Sequence, residues 1–213
     1  MKRKLSALII SFLFLSAVSA QEIRLNGYSS YVFDDHVDIY ASNTAYYEGR
    51  VNGGFRWGAG IEYMLETNGI SLSYYRQDTH VPLTYYQNGV KSQNFDVAIN
   101  WIMLGGTRYL RKNKLEPFGG AEIGMAIVHL EGPESGDLGS RTKFAWALKL
   151  GTHIFFSENV GLKLQADLYS AVQSVGGGFY FGTGGAGVGV SGYSSLLQFG
   201  LGGGLVFRFP QEK

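Results

Sequence analysis

A chain of 213 residues with 31 Gly, 14 Tyr and 14 Phe carries only 16 % charged side chains, well below the about 25 % of a water-soluble domain. No cysteine is present, which excludes disulfide and thiolate chemistry. The formal charge of +1 is too small to argue for nucleic acid.

Met1-Lys2-Arg3-Lys4 is a basic leader, Leu5 to Val18 is apolar, and Val18-Ser19-Ala20 offers a small-residue cleavage site before Gln21. This order reads as a secretory signal peptide over residues 1–20. The apolar run is shorter than the ~20 residues of a spanning helix. Cleavage leaves residues 21–213 as one domain and removes Lys2, Arg3 and Lys4, so 15 basic side chains (18 − 3) face 17 acidic ones.

The mature chain alternates in polarity, which is the signal of a strand. Ile23 to Phe33 sets Ile23, Leu25, Tyr31 and Phe33 against Arg24, Asn26, Tyr28 and Ser30. After a polar segment, 34–52, the stretch Gly54 to Leu65 alternates most cleanly, with Phe55, Trp57, Ala59, Ile61 and Tyr63 opposite Arg56, Gly58, Gly60 and Glu62. Glu66-Thr67-Asn68-Gly69 makes a short turn, and Ile70 to Gln77 is the third strand. A second polar segment, 78–92, precedes the fourth, Gln93 to Leu110. There Phe95, Val97, Ile99, Trp101 and Met103 oppose Asn94, Asp96, Ala98 and Asn100, and Gly105-Gly106 suggests a bulge. A tight turn at 111–114 leads to the fifth strand, Leu115 to Val128, with Glu122 on its small-residue face. Residues 129–142 form a third long segment. The sixth strand, Lys143 to Phe155, places Phe144, Trp146, Leu148 and Leu150 opposite Lys149 and His153. A turn at 156–159 and the seventh strand, Val160 to Tyr169, bring Lys163, Gln165 and Asp167 to the polar face. A glycine-rich segment, 170–194, leads to the closing strand, Leu197 to Phe209. Its bulky parity (Leu197, Phe199, Leu201, Leu205, Phe207, Phe209) faces away from Gly200, Gly202, Gly204 and Arg208.

A sheet face made of glycine suits a narrow enclosed space, and the bulky apolar face then looks into lipid. Eight strands joined by alternately long and short connections have the layout of an up-and-down transmembrane β-barrel, with short periplasmic turns and four long extracellular loops. The competing fold, a water-soluble lipocalin-like barrel with its apolar face inward, needs a charged exterior. The polar parity is too rich in Gly, Ala and Ser to supply one.

The run Glu116-Pro117-Phe118-Gly119-Gly120-Ala121-Glu122-Ile123-Gly124 and the closing strand with Phe207 and Phe209 resemble the small eight-stranded outer-membrane barrels of the OmpA/OmpX type, in the porin-like superfamily. The resemblance covers residues 21–209. It implies residence in a Gram-negative outer membrane, contact with outer-membrane lipid, and folding aided by periplasmic chaperones and the barrel-assembly machinery. Phe207 and Phe209 stand where the family's C-terminal assembly signal lies, although Pro210-Gln211-Glu212-Lys213 follows them.

The inward parity holds Arg24, Arg56, Glu62, Asp96, Glu122, Lys149, Lys163, Asp167 and Arg208. A barrel of eight strands is wide enough only for side chains, and a lone buried charge is costly, so these nine form a paired network that plugs the lumen. Trp57, Tyr63, Trp101, Tyr109 and Trp146 are assigned to interfacial girdles. Tyr40, Tyr46, Tyr47, Tyr85 and Tyr86 fall in the long segments, where tyrosine suits recognition.

Catalysis would need a nucleophile, a histidine and an orienting acid. His36 and His80 read as solvated loop residues, and His153 as an interior one. His129, near Glu131 at the outer end of the fifth strand, is the best catalytic candidate. No histidine has a serine two residues on, the arrangement of the outer-membrane deacylases, and no metal-ligand spacing is present. The glycine-rich 176–189 run lacks the helix and lysine of a phosphate loop and reads as an outer loop or as strand ends beyond the membrane. The expectation is therefore a structural or surface-interaction barrel, without enzymatic activity or cofactor, binding an unidentified extracellular partner. A small passive pore is the second reading and a lipid-modifying enzyme the third.

Overall fold

The computed structural model describes residues 22–42, 45–86, 90–111, 114–132, 136–172, 178–182, 185–189 and 196–210. The signal-peptide assignment to residues 1–20 lies outside them. The strands are β1 (Glu22–Val32), β2 (Asp35–Ser42), β3 (Ala45–Val51), β4 (Gly54–Leu65), β5 (Asn68–Tyr86) and β6 (Val90–Tyr109). They continue as β7 (Leu115–Gly132), β8 (Gly136–Phe155), β9 (Val160–Val172), β10 (Gly178–Gly182), β11 (Gly185–Gly189) and β12 (Leu196–Pro210).

Eight of these, β1, β4, β5, β6, β7, β8, β9 and β12, pair antiparallel with their neighbours, and the β5–β6 pairing closes the ring. Following the register from Glu22 through Met64, Gly69, Thr107, Gly120, Lys149, Asp167 and Gly200 returns to β1 at Val32, an offset of ten residues (32 − 22). Strands in such a barrel tilt by about 40°, so each residue climbs about 2.5 Å along the axis.

The outer wall is a level apolar band. It runs from Leu115, Phe156 and Phe209 at the short-turn end up to Phe33, Phe55, Tyr74, Ile102, Met125, Phe144 and Phe199. Its height is about 25 Å, the hydrocarbon belt of an outer-membrane barrel. Leu150, in the middle of the band, is 68 % exposed. An aliphatic side chain left so bare fits a wall facing lipid.

Above the band both faces of the wall change character. Outward positions on β5 and β6 become Arg76, Asp78, His80, Asn94 and Asp96, while Val81, Phe95, Val97 and Ile99 are buried inside. Within the belt the barrel is apolar outside and polar inside. Beyond it the outer positions turn polar and large apolar side chains enter the interior, where Gln77, Thr79 and Gln198 are also buried.

Two sequence expectations change here. The long segments expected as loops hold strands. The 78–92 and 129–142 segments continue the β5–β6 and β7–β8 ladders, 34–52 contains the β2–β3 hairpin, and β10 pairs with β11 inside the glycine-rich run. Outward polar residues such as Asp78, His80, Glu131 and Ser140 made the first two look like loops. No bulge occurs at Gly105-Gly106, since both ladders of β6 run through it in register; the irregularity lies between His129 and Glu131 instead. The positive φ of the first short turn falls on Glu66 (55°), with Asn68 already paired to Leu65.

Glycine on the inner face of β12 follows from close strand approach. A Cβ on Gly204 would lie 1.7 Å from the Gly27 carbonyl oxygen, whereas one on Gly27 would meet nothing within 4 Å. Gly204→Ala is therefore expected to abolish the heat-modifiable folded band on gels, and Gly27→Ala to leave it intact. Equal behaviour of the two variants would contradict this packing.

Candidate functional site

The lumen is filled in layers. At the short-turn mouth Arg24 pairs with Glu22, and its Nη2 lies 2.8 Å from Glu116 Oε2, at ion-pair distance though off a hydrogen-bonding line. Arg24 Nη1 donates to His153 Nδ1 at 3.2 Å, which leaves the imidazole proton on Nε2 because a guanidinium cannot accept. Arg208 donates from Nη2 to Glu116 Oε1 (2.9 Å), approaches Glu22 Oε1 at 3.1 Å, and lies over the Phe155 ring at 3.7 Å. Arg111 Nη2 reaches Glu22 Oε2 at 3.4 Å.

Higher up, Lys149 Nζ lies 2.5 Å from Glu122 Oε1. Ser73 donates to the same oxygen at 3.1 Å, and the Tyr169 hydroxyl donates to Oε2 at 3.2 Å. Glu62 accepts from the Tyr109 hydroxyl at 2.7 Å. The Lys163 ammonium sits between two rings, 4.6 Å from Tyr28 and 4.7 Å from Phe118, where the ring faces supply the negative potential. Arg56 pairs with Asp167 and lies over the Tyr169 ring at 4.1 Å, and Gln165 donates to Asp167 at 2.9 Å. Such partners are what makes charge tolerable in a space this narrow.

Above the charged layers is an apolar cap. Trp101, Ile99, Val97, Phe95, Leu130 and Val81 pack with Tyr75, Tyr169 and Ala126, Ala145, Ala147 and Ala171 in one buried cluster. Ring contacts of 5.2 Å (Trp101–Tyr169) and 5.3 Å (Tyr75–Tyr169) tie its lower edge together.

Of the nine expected lumen charges, eight point inward: Arg24, Arg56, Glu62, Glu122, Lys149, Lys163, Asp167 and Arg208. Asp96 does not. It lies on the outer face above the belt, 66 % exposed, with its Oδ1 2.5 Å from His80 Nδ1. The parity of β6 is the reverse of the expected one, and this also corrects Trp101 and Tyr109. Both are buried inside (0 % and 1 % exposed), so neither can stand in an interfacial girdle. Trp57, Tyr63 and Trp146 lie on the outer wall, and Trp57 meets Tyr74 edge-on at 6.0 Å near the upper rim. Phe207 and Phe209 face outward at the short-turn end of β12. Glu22 and Glu116, central to the mouth cluster, were missed. Each shares parity with a charge that was found, Arg24 and Glu122, so carrying the alternation to the strand ends would have located them.

Outside the lumen, His129 Nδ1 lies 2.9 Å from Ser140 Oγ and its Nε2 3.4 Å from Glu131 Oε1. His36, Tyr40, Tyr46, Tyr47, Tyr85 and Tyr86 lie on β2, β3 and the end of β5. Among the described residues no group of three or more His, Asp or Glu side chains is arranged for a metal.

No family model and no curated protein matches the sequence. Solved structures do. The outer membrane protein OprG from Pseudomonas aeruginosa superposes with a TM-score of 0.60 at 14 % identity, covering 91 % of this chain and 98 % of that one. Neisserial surface protein A gives 0.56 at 12 % identity, covering 88 % and 97 %. The outer membrane protease OmpT from Escherichia coli gives 0.54 at 9 % identity, covering 90 % and 98 %. The chain thus has the closed, eight-stranded antiparallel form of the outer-membrane β-barrel fold. Proteins with that fold include a protease as well as a surface protein, so the fold alone assigns no activity.

The ion pair between Lys149 and Glu122 is fully enclosed in the middle layer. Lys149→Met alone is expected to cost about 3–5 kcal/mol, because it leaves a buried carboxylate unpaired. Lys149→Met with Glu122→Gln should cost clearly less than the sum of the single changes. Urea unfolding in micelles reads this coupling, and strict additivity would mean that the pair is not formed.

Proposed function

We propose that the protein is exported through the signal peptide at residues 1–20 and resides in the outer membrane as a closed anchor for a surface-interaction module. Its work is done by the hairpins beyond the belt, in adhesion, ligand binding or envelope integrity. The observation that carries this reading is the filled lumen, paired charges below and an apolar cap above, beneath strands that run on past the membrane. A device built for passage would not place Trp101, Ile99, Val97 and Phe95 across its own outlet. Tyr40, Tyr46, Tyr47, Tyr85 and Tyr86, on β2, β3 and the end of β5, are of a residue type that suits recognition, since tyrosine offers rigid amphipathic contact area. During biogenesis Phe207 and Phe209 would serve as the assembly signal read by the barrel-assembly machinery.

The reading assigns no chemistry and no cofactor to the lumen. The passive pore is the alternative, and planar-bilayer recording separates the two. The refolded protein from residue 21 onward, with insertion verified independently, is expected to give no steady single-channel openings. Sustained conductance would replace the closed-anchor reading with the pore.

A further inference from the structure

The constellation on the outer wall of β7 and β8 has no part in the lumen or the anchor. His129 and Ser140 are direct cross-strand partners, and the ladder is irregular just beyond them, between His129 and Glu131. Bulges of this kind re-aim side chains and recur beside active sites. Gly139, immediately before Ser140, has a φ of +93°, a turn of the backbone that only glycine makes without strain. The result is a hydroxyl 2.9 Å from one imidazole nitrogen and a carboxylate 3.4 Å from the other. That is the order nucleophile, base, orienting acid, at distances that tighten when a substrate arrives. Ser140 and Glu131 are exposed, and the His129 side chain is 30 % exposed, so the group is open to a solute.

We propose that Ser140, His129 and Glu131 form a hydrolytic site for short, water-soluble carboxylic esters, such as O-acetyl groups on surface saccharides. The hydroxyl oxygen of Ser140 bonds to the ester carbonyl carbon while its proton passes to His129 Nδ1. The bond from that carbon to the alcohol oxygen breaks, and His129 returns the proton to the departing alcohol. Water, giving a proton to His129, then attacks the acyl-serine, releasing the carboxylic acid and restoring Ser140. Glu131 steadies the imidazolium formed at each step. The height of the site selects the substrate. His129 lies four residues past Met125 and so about 10 Å above the apolar rim, out of reach of an ester held among acyl chains. This activity is additional to the anchor reading and does not depend on the lumen being closed.

The test uses the refolded barrel in detergent with a fluorophosphonate probe, and with p-nitrophenyl acetate and p-nitrophenyl palmitate as substrates. Labelling is expected on Ser140, with acetate cleaved in preference to palmitate. Ser140→Ala should abolish labelling, and His129→Ala should slow acetate cleavage by at least ~100-fold, both with the folded gel band retained. Glu131→Gln should lower the rate less. No labelling above that of Ser140→Ala would overturn the site. Preference for palmitate would overturn the substrate class. Neither result bears on conductance, so this inference and the anchor reading fail separately.

Discussion

A sheet of eight strands that closes with an offset of ten residues has an interior only wide enough for side chains, and every other feature of the molecule answers to that narrowness. In the belt the outer face must be apolar, so polar side chains are driven inward. There they meet no bulk water and must find one another. Arg24 between Glu22 and Glu116, and Lys149 on Glu122, are the local solutions. Lys163, which makes no ion pair among the described residues, lies between the rings of Tyr28 and Phe118.

Above the belt the same constraint acts with the solvent exchanged. Water replaces lipid outside, the outward positions of β5 and β6 become polar, and Val81, Phe95, Val97, Ile99 and Leu130 enter the space within, beside the buried Gln77, Thr79 and Gln198. The projecting strands therefore have a core of their own and need not lean on the membrane. A cap of this kind holds the outer hairpins in a fixed relation to the barrel, which is what a recognition surface needs and what a pore does not.

Most of the fold was legible in the sequence, because alternation is strongest where lipid and lumen impose opposite demands. β4 begins and ends as its alternation says, and the charges of β8 and β9 fall on the expected face. β6 was not. Its odd positions carry Phe95, Val97, Ile99, Trp101 and Met103, and the rule that the apolar face meets lipid sends them outward. The rule holds only inside the belt, and most of this run lies near or above the rim. Ile102 and Leu104, within the belt, fix the true parity with outward even positions, and the discontinuity between the two patterns resembled a bulge. The triad-like group was only half visible. Glu131 stands two residues from His129 in sequence, but Ser140 reaches it only through the β7–β8 register.

The exchange of inside and outside at the rim is most directly tested by spin labels placed singly from 94 to 110 along β6, with accessibility to oxygen and to a nickel chelate measured in lipid. The account predicts that even positions from 102 to 110 favour oxygen and those from 94 to 100 favour the chelate. Positions 95 to 103 of odd number should be shielded from both. Odd positions that took up oxygen, or an unchanged alternation of lipid and water contact along the whole strand, would contradict it.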